Sequence, residues 1–174
     1  KHPTVNLSVK YYRASQLYED ILSNGVDIGL VAYPTKDNRF ETVPLHDDLL
    51  VLICHPDHPL ASEKTLKLDK INNHKFIGFE PDIPTRRAID KILRDRNIAV
   101  DHVMEFDNIE TIKRAVEIDA GISIVPKSTV TQEVVKKTIT QMKIAGENHH
   151  RPLAAVYKKN KILSPAMKEF LKMQ

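Results

Sequence analysis

Two stretches of this chain are apolar on both faces: Asp27-Ile28-Gly29-Leu30-Val31-Ala32-Tyr33 and Leu49-Leu50-Val51-Leu52-Ile53-Cys54. A strand of this kind has no side to offer to water and needs cover above and below. The segments between such runs are helical. Leu17, Ile21 and Leu22 fall on one face after Ser15, a good cap, and Gly25 stands where a left-handed helix end is wanted. Val5, Leu7 and Val9 alternate with Asn6 and Ser8, the period of a strand with one buried face. The opening therefore predicts a strand, a helix and a second strand, closed by Pro34.

A second block follows the turn His55-Pro56-Asp57-His58-Pro59, which its two prolines impose. Phe76–Phe79 reads as a strand, and Ala88, Ile89, Ile92 and Leu93 as a helical stripe. Val100–Phe106 is a strand, Asn108 caps a helix with Ile109, Ile112 and Val116 inside, and Ile122–Val125 is a further strand stopped by Pro126. A weaker helix around Thr131–Lys137, strands near Ile139–Ile144 and Leu153–Tyr157, and a last helix from Ser164 complete the pattern. In that helix Pro165 takes the first position and Met167, Phe170 and Leu171 face inward. Alternating strands and helices specify an α/β fold with mainly parallel sheets. Two blocks point to two lobes: residues 1–54 with 142–174 as lobe I, and 55–141 as lobe II. The chain is then expected to cross near Cys54–His58 and near Ile139–Ile144.

The chain has 174 residues, 26 Lys+Arg against 23 Asp+Glu and one cysteine. A formal charge of +3 is far from the field of a nucleic-acid binder. A lone Cys54 excludes an internal disulfide framework and a four-cysteine zinc site, and is compatible with a reducing cytoplasm. No apolar run approaches the roughly 20 residues of a membrane span, so no membrane partner is expected. The first residue is Lys1, not Met, and Lys1-His2-Pro3-Thr4 has no signal-peptide layout, so the chain reads as a piece of something longer. Catalytic and cofactor motifs do not stand out. Five glycines form no phosphate-cradling loop, and neither a cofactor nor a metal is expected. Cys54 lies in an apolar strand, where a thiol is inert. His55, Asp57 and His58 read as a structural turn rather than a metal set. His149 and His150, in a polar loop next to Arg151, read as solvated surface, and Lys136-Lys137 and Lys158-Lys159 as wet faces.

Helix starts remain. Ser15, Thr85 and Asn108 each begin a helix just after a strand, where unsatisfied N–H groups and a positive dipole end suit an anion. Side chains near these junctions are Tyr12, Arg13 and Ser15, then Tyr33 and Thr35, then Phe79, Thr85 and Arg86, with Asn108 at the third helix. These nine residues are the candidate ligand contacts, and plain capping is the competing reading for Ser15, Thr85 and Asn108.

Several stretches, taken in order, resemble the effector-binding (co-inducer) domain of LysR-type transcriptional regulators. They are Asn24-Gly25-Val26-Asp27-Ile28-Gly29-Leu30-Val31; Pro44-Leu45 through Leu52 into His58-Pro59-Leu60-Ala61; Phe76-Ile77-Gly78-Phe79-Glu80 with Thr85-Arg86-Arg87-Ala88-Ile89-Asp90; Asn108 to Val116 with Ala120-Gly121-Ile122-Ser123-Ile124-Val125-Pro126; and Arg151-Pro152-Leu153 with Leu163-Ser164-Pro165-Ala166. The resemblance implies two Rossmann-like lobes joined by two crossover strands, a type 2 periplasmic-binding-protein-like fold with a small-molecule cleft between the lobes. It also implies a homodimer or homotetramer in the cytoplasm, DNA binding through a separate N-terminal winged helix-turn-helix, and RNA polymerase as a partner of the parent protein. Two departures stand out. The family's first strand and helix would precede Lys1, leaving lobe I a strand short, its place open or filled by another copy. Asp119-Ala120-Gly121 replaces the family's Gly-x-Gly. The resulting expectation is a non-enzymatic sensor of a small anionic metabolite. The competing reading is an extracytoplasmic solute-binding protein of a transporter, which a secretory signal upstream would favour; an enzyme is the third.

Overall fold

The computed structural model describes residues 5–146 and 148–172. Among them, in chain order, lie α1 (Ala14–Leu22), β1 (Gly29–Ala32), β2 (Phe40–Cys54), β3 (Thr65–Leu66), β4 (Lys75–Phe79), α2 (Pro84–Asp95), β5 (Asp101–Phe106), α3 (Ile109–Glu117), β6 (Ser123–Pro126), α4 (Thr131–Lys136), β7 (Thr140–Ile144), β8 (His150–Lys158) and α5 (Pro165–Lys172). They form two compact units, residues 1–46 with 152–174, and residues 47–151. The chain changes unit inside β2 and inside β8, earlier and later respectively than the sequence expectation of 54/55 and 141/142. The reason is where side chains are buried: Leu50–Cys54 belong to the core of the second unit, as do Met142 and Ile144.

In the first unit α1 packs Leu17 and Ile21 against Val31, Phe40 and Val156. Tyr18 meets Phe40 edge-on, ring centroids 4.9 Å apart. Gly29 permits this approach, because a Cβ there would lie 2.9 Å from Leu17 Cδ2. β1 runs antiparallel to β8, Gly29 opposite Val156 and Ala32 opposite Leu153. Three expectations are corrected. Val5–Val9 is not a strand: it has no strand partner among the described residues, and Leu7 and Val9 are 74% and 69% exposed. Alternation marks a strand only when a neighbour supplies hydrogen bonds. Ser15 is not the cap of α1; Arg13 holds that position without a side-chain cap bond, and Ser15 lies within the first turn. Gly25 does not take the left-handed position after α1, which Asn24 adopts at φ 63°, a conformation its short polar side chain tolerates. In α5 the stripe is oriented as expected, with Met167, Phe170 and Leu171 half-buried, while Ser164 Oγ accepts from the Met167 N–H.

The second unit is built on the apolar end of β2. It pairs antiparallel with β6, Leu50 opposite Pro126 and Ile53 opposite Ser123, and antiparallel with β7, Leu52 opposite Met142. β3 joins β7 in parallel, and β4 pairs β5 in parallel. The sheets are therefore mixed rather than mainly parallel, because the strand that crosses between units runs against its neighbours. The sequence expectation also stopped short on β2. Its first half, Phe40–Asp48, contains Pro44 and is largely exposed, so no apolar run announces it.

β4 and β6 meet through Phe76 and Ile122: the Ile77 N–H donates to Ile122 O and the Ile122 N–H to Lys75 O. Gly121 makes this possible, since a Cβ there would lie 2.7 Å from Lys75 O. Two residues earlier Asp119 sits at φ 56°, in the left-handed region, at the position where the resemblance leads one to expect glycine. A substitution Gly121→Ala is expected to cost about 2 kcal/mol in urea denaturation, through forced separation of β4 and β6, whereas Asp119→Gly should leave stability within about 1 kcal/mol of the original or raise it.

Candidate functional site

The three helix starts differ once seen in place. Asn108 is a true N-cap of α3: its Oδ1 accepts from the Thr111 N–H at 2.9 Å and from Thr111 Oγ1 at 2.9 Å. Glu110 already supplies negative charge in that first turn. The first turns of α1 and α2 contain no acidic residue, so their positive ends are uncompensated from within the helix.

At α2 the N-cap is Ile83, Pro84 is the first helical residue and Thr85 the second, so Thr85 does not cap its helix as the sequence suggested. Its side chain has another task. Thr85 is only 3% exposed, and its Oγ1 accepts from Arg151 Nε at 3.2 Å. In the sequence Arg151 stands at the end of a polar loop and carries no assigned role. The available signal was its position beside Pro152, at the start of an expected strand that returns to the other lobe.

Arg86, by contrast, has its guanidinium committed. Nε donates to Asp90 at 2.7 Å, and Nη1 donates to Phe79 O and to Glu105, both at 2.6 Å. Burial opposes the charge, and the Glu105 and Asp90 carboxylates outweigh it, so the guanidinium is held above its ordinary pKa. Phe79 is buried in the core and contributes the carbonyl that Arg86 grips. These two residues tie β4, α2 and β5 together.

In the first unit Tyr33 follows β1 with φ 51°, a strained backbone for a bulky residue, and its N–H donates to Pro152 O at 2.9 Å. The Thr35 N–H donates to Tyr18 Oη at 3.0 Å. Tyr12 packs against the small core; partial desolvation and the Asp20 carboxylate hold its phenol above the ordinary range. Arg13 is exposed at the start of α1.

Other candidates for chemistry resolve into structure. Burial pushes the Cys54 thiol up to about 12, leaving it protonated. Among the described residues no group of three or more His, Cys, Asp or Glu could hold a metal ion. Lys113, unnoticed in the sequence, is buried and bridges Glu110 at 2.8 Å, Glu133 at 2.9 Å and Thr129 O at 3.1 Å, joining α3 to α4. His58 and His55 close the turn before the short 3-10 helix Pro59–Ser62. Their Nδ1 atoms accept from the Leu60 and Asp57 N–H groups at 3.2 and 3.1 Å.

The family description LysR substrate binding domain matches residues 1–173. The chain belongs to this family. It is 29% identical over 170 residues to the RuBisCO operon transcriptional regulator of Allochromatium vinosum, covering 98% of this chain and 56% of that protein. It is 25% identical over 171 residues to the HTH-type transcriptional activator CmpR of Synechocystis, with 98% and 56% covered. The chain thus spans little more than half the length of these relatives. Among solved structures it superposes on the Synechocystis CcmR regulatory domain in complex with 2-PG with TM-score 0.88 at 26% identity, covering 99% of this chain and 83% of that one. It superposes on the effector-binding domain of QuiR in complex with shikimate with TM-score 0.86 at 23% identity, covering 98% and 80%. This LysR domain has the type 2 periplasmic-binding-protein-like α/β fold of two lobes joined by two crossing strands. Its relatives are transcriptional regulators, which leaves the transporter reading without support. No helix among the described residues is long and apolar enough to cross a membrane.

Burial holds the His58 imidazole below its ordinary value of 6.5; Asp119 opposes this, and His74 and His55 reinforce it. As the pH falls through about 6.5 the unfolded chain takes up this proton before the folded one, so stability present above that pH is lost below it. Thermal midpoints measured between pH about 7.5 and about 5 should fall with acidification, and less steeply in His58→Asn, whose Oδ1 can accept from Leu60 without titrating.

Proposed function

We propose that this LysR domain is a non-enzymatic sensor that recognises a small anionic metabolite, with Thr85 and Arg151 as its polar contacts in the second unit. The observation that carries this reading is the 3.2 Å bond between Arg151 Nε and Thr85 Oγ1. A guanidinium fork beside the first turn of a helix without acidic residues there combines charge, directed donors and a dipole of the right sign. The anionic 2-PG in the related CcmR regulatory domain supports the ligand class. Of the other candidates, Tyr12, Arg13, Ser15, Tyr33 and Thr35 are proposed as the first unit's contacts. Arg86, Phe79 and Asn108 are proposed to act by positioning β4, α2 and α3.

The parent protein is proposed to be a cytoplasmic DNA-binding regulator that carries a winged helix-turn-helix in the part of its relatives' length that this chain does not span, with RNA polymerase as a downstream partner. Calorimetry against a panel containing 2-PG, inorganic phosphate, sulfate and neutral sugars tests the sensor reading. Binding of an anion that weakens tenfold or more, about 1.4 kcal/mol, in both Thr85→Val and Arg151→Gln is expected. Anion binding unchanged by both substitutions, or binding only of neutral compounds, rejects it.

A homodimer is proposed for the intact domain. Val5, Leu7 and Val9 on the first unit, and Val103 and Met104 on the outer strand β5, are exposed apolar side chains that a second copy would cover. Sedimentation velocity should give a dimer for the chain and monomer for Leu7→Asp and for Met104→Lys. A monomer at high concentration, or dimers unaffected by both changes, would count against this surface.

A further inference from the structure

Away from Thr85, the second unit has an open cavity of about 510 Å³ with Lys67, Leu68, Asp69, Arg96, Ile98 and Gly146 in its wall. Leu68 is buried and Ile98 half-buried, so its floor is apolar, and three charged side chains stand around that floor. Neither the Lys67 ammonium nor the Arg96 guanidinium has an ion pair or hydrogen bond among the described residues, and the same holds for the Asp69 carboxylate.

The Arg96 fork is nevertheless placed. A Cβ built on Gly146 would lie 3.7 Å from Nη1 and 3.7 Å from Nη2, so both ends of the fork face that residue at equal distance. Gly146 at φ 95° adopts a backbone that a side chain would strain, which keeps this side of the guanidinium clear. Lys64 just before β3 and Lys143 on β7 are neighbours, where the Lys143 N–H donates to Lys64 O. The lining itself carries two cations, Lys67 and Arg96, against one carboxylate, Asp69.

We propose that this cavity is a second ligand site, separate from the Thr85–Arg151 pair, for an organic anion with one phosphate or carboxylate head and an apolar body. Arg96 and Lys67 take the head, since a guanidinium fork and an ammonium together match a planar or tetrahedral oxyanion. Leu68 and Ile98 cover the body. Asp69 disfavours a second anionic group and accepts from a hydroxyl. The volume lies within the range of pockets that hold small metabolites.

The test is a nuclear magnetic resonance titration of the 174-residue chain with phenyl phosphate, and with inorganic phosphate beside it. Saturable shifts of the Leu68, Ile98 and Gly146 amides are expected with phenyl phosphate, at lower affinity for inorganic phosphate, which has no body for the floor. Arg96→Gln and Lys67→Gln should each raise the dissociation constant about tenfold, while Thr85→Val leaves it unchanged. Absence of saturable shifts, shifts that survive both cavity substitutions, or shifts abolished by Thr85→Val would overturn the proposal. Equal affinity for inorganic phosphate would overturn the amphipathic ligand class. Spectral dispersion shows whether each variant is folded, and the two cavity substitutions are independent of one another.

Discussion

Most of the second unit depends on Leu50–Cys54 being paired with two strands, β6 and β7, that overlap at Leu52 and Ile53. These five residues are almost wholly buried, so their backbone groups have no water to turn to and need a strand on each side. β6 supplies one edge along Leu50–Ile53 and β7 the other along Leu52–Cys54, both antiparallel. Because β6 must also reach β4 through Phe76 and Ile122, the tight passage at Gly121 follows from the same requirement. The place where the chain changes unit is set here too: residues paired on both edges cannot belong to the other body, so the boundary retreats along β2 to His46 and Asp47.

The parts of the fold visible in the sequence are those where burial is strong and local. The runs 29–32, 49–54, 76–79 and 123–125 are strands because apolar side chains on both faces have few alternatives. The stripes of α2 and α3 were equally plain. What escaped were features decided by partners distant in the chain. Val5–Val9 has a strand's pattern without a strand's neighbour, and Phe40–Asp48 has a neighbour without the pattern. Pairing direction was also hidden, since nothing within β2 states that β6 and β7 run against it. The left-handed positions show a subtler limit: Asn24 and Asp119 occupy turns where the motif leads one to look for glycine, because short polar side chains also reach that conformation.

The proposed site was suggested by region more than by residue. Reasoning from helix starts points to Thr85 as a cap, yet in the structure its oxygen accepts from Arg151, 66 residues further along the chain. Arg86 has the more conspicuous charge in the sequence, but β5 brings Glu105 against it and turns it into a brace. A charged residue's role thus depended on which carboxylates the fold delivered to it. Arg86 and Lys113 each received two carboxylate partners, and both are structural. Arg96 received none among the described residues and stays available.

That difference bears on how a sensor domain can respond. A ligand shifts a conformational balance only through contacts that differ between the states. Residues buried in the double-edged core around Leu50–Cys54 cannot move independently of it, so a ligand held by them alone would have little to change. Arg151 is placed otherwise: it is the last residue of the second unit, on the strand by which the chain leaves it, and its Nε donates to Thr85 Oγ1 at a helix start. An anion bound by this guanidinium, as proposed above, would act on the crossing strand directly. Gly146 stands at the near end of the same connecting stretch, against Arg96, so the two basic positions bracket the return path. Coupling between two occupants would be reciprocal in free energy, and the connecting stretch is the element through which this LysR domain would express it.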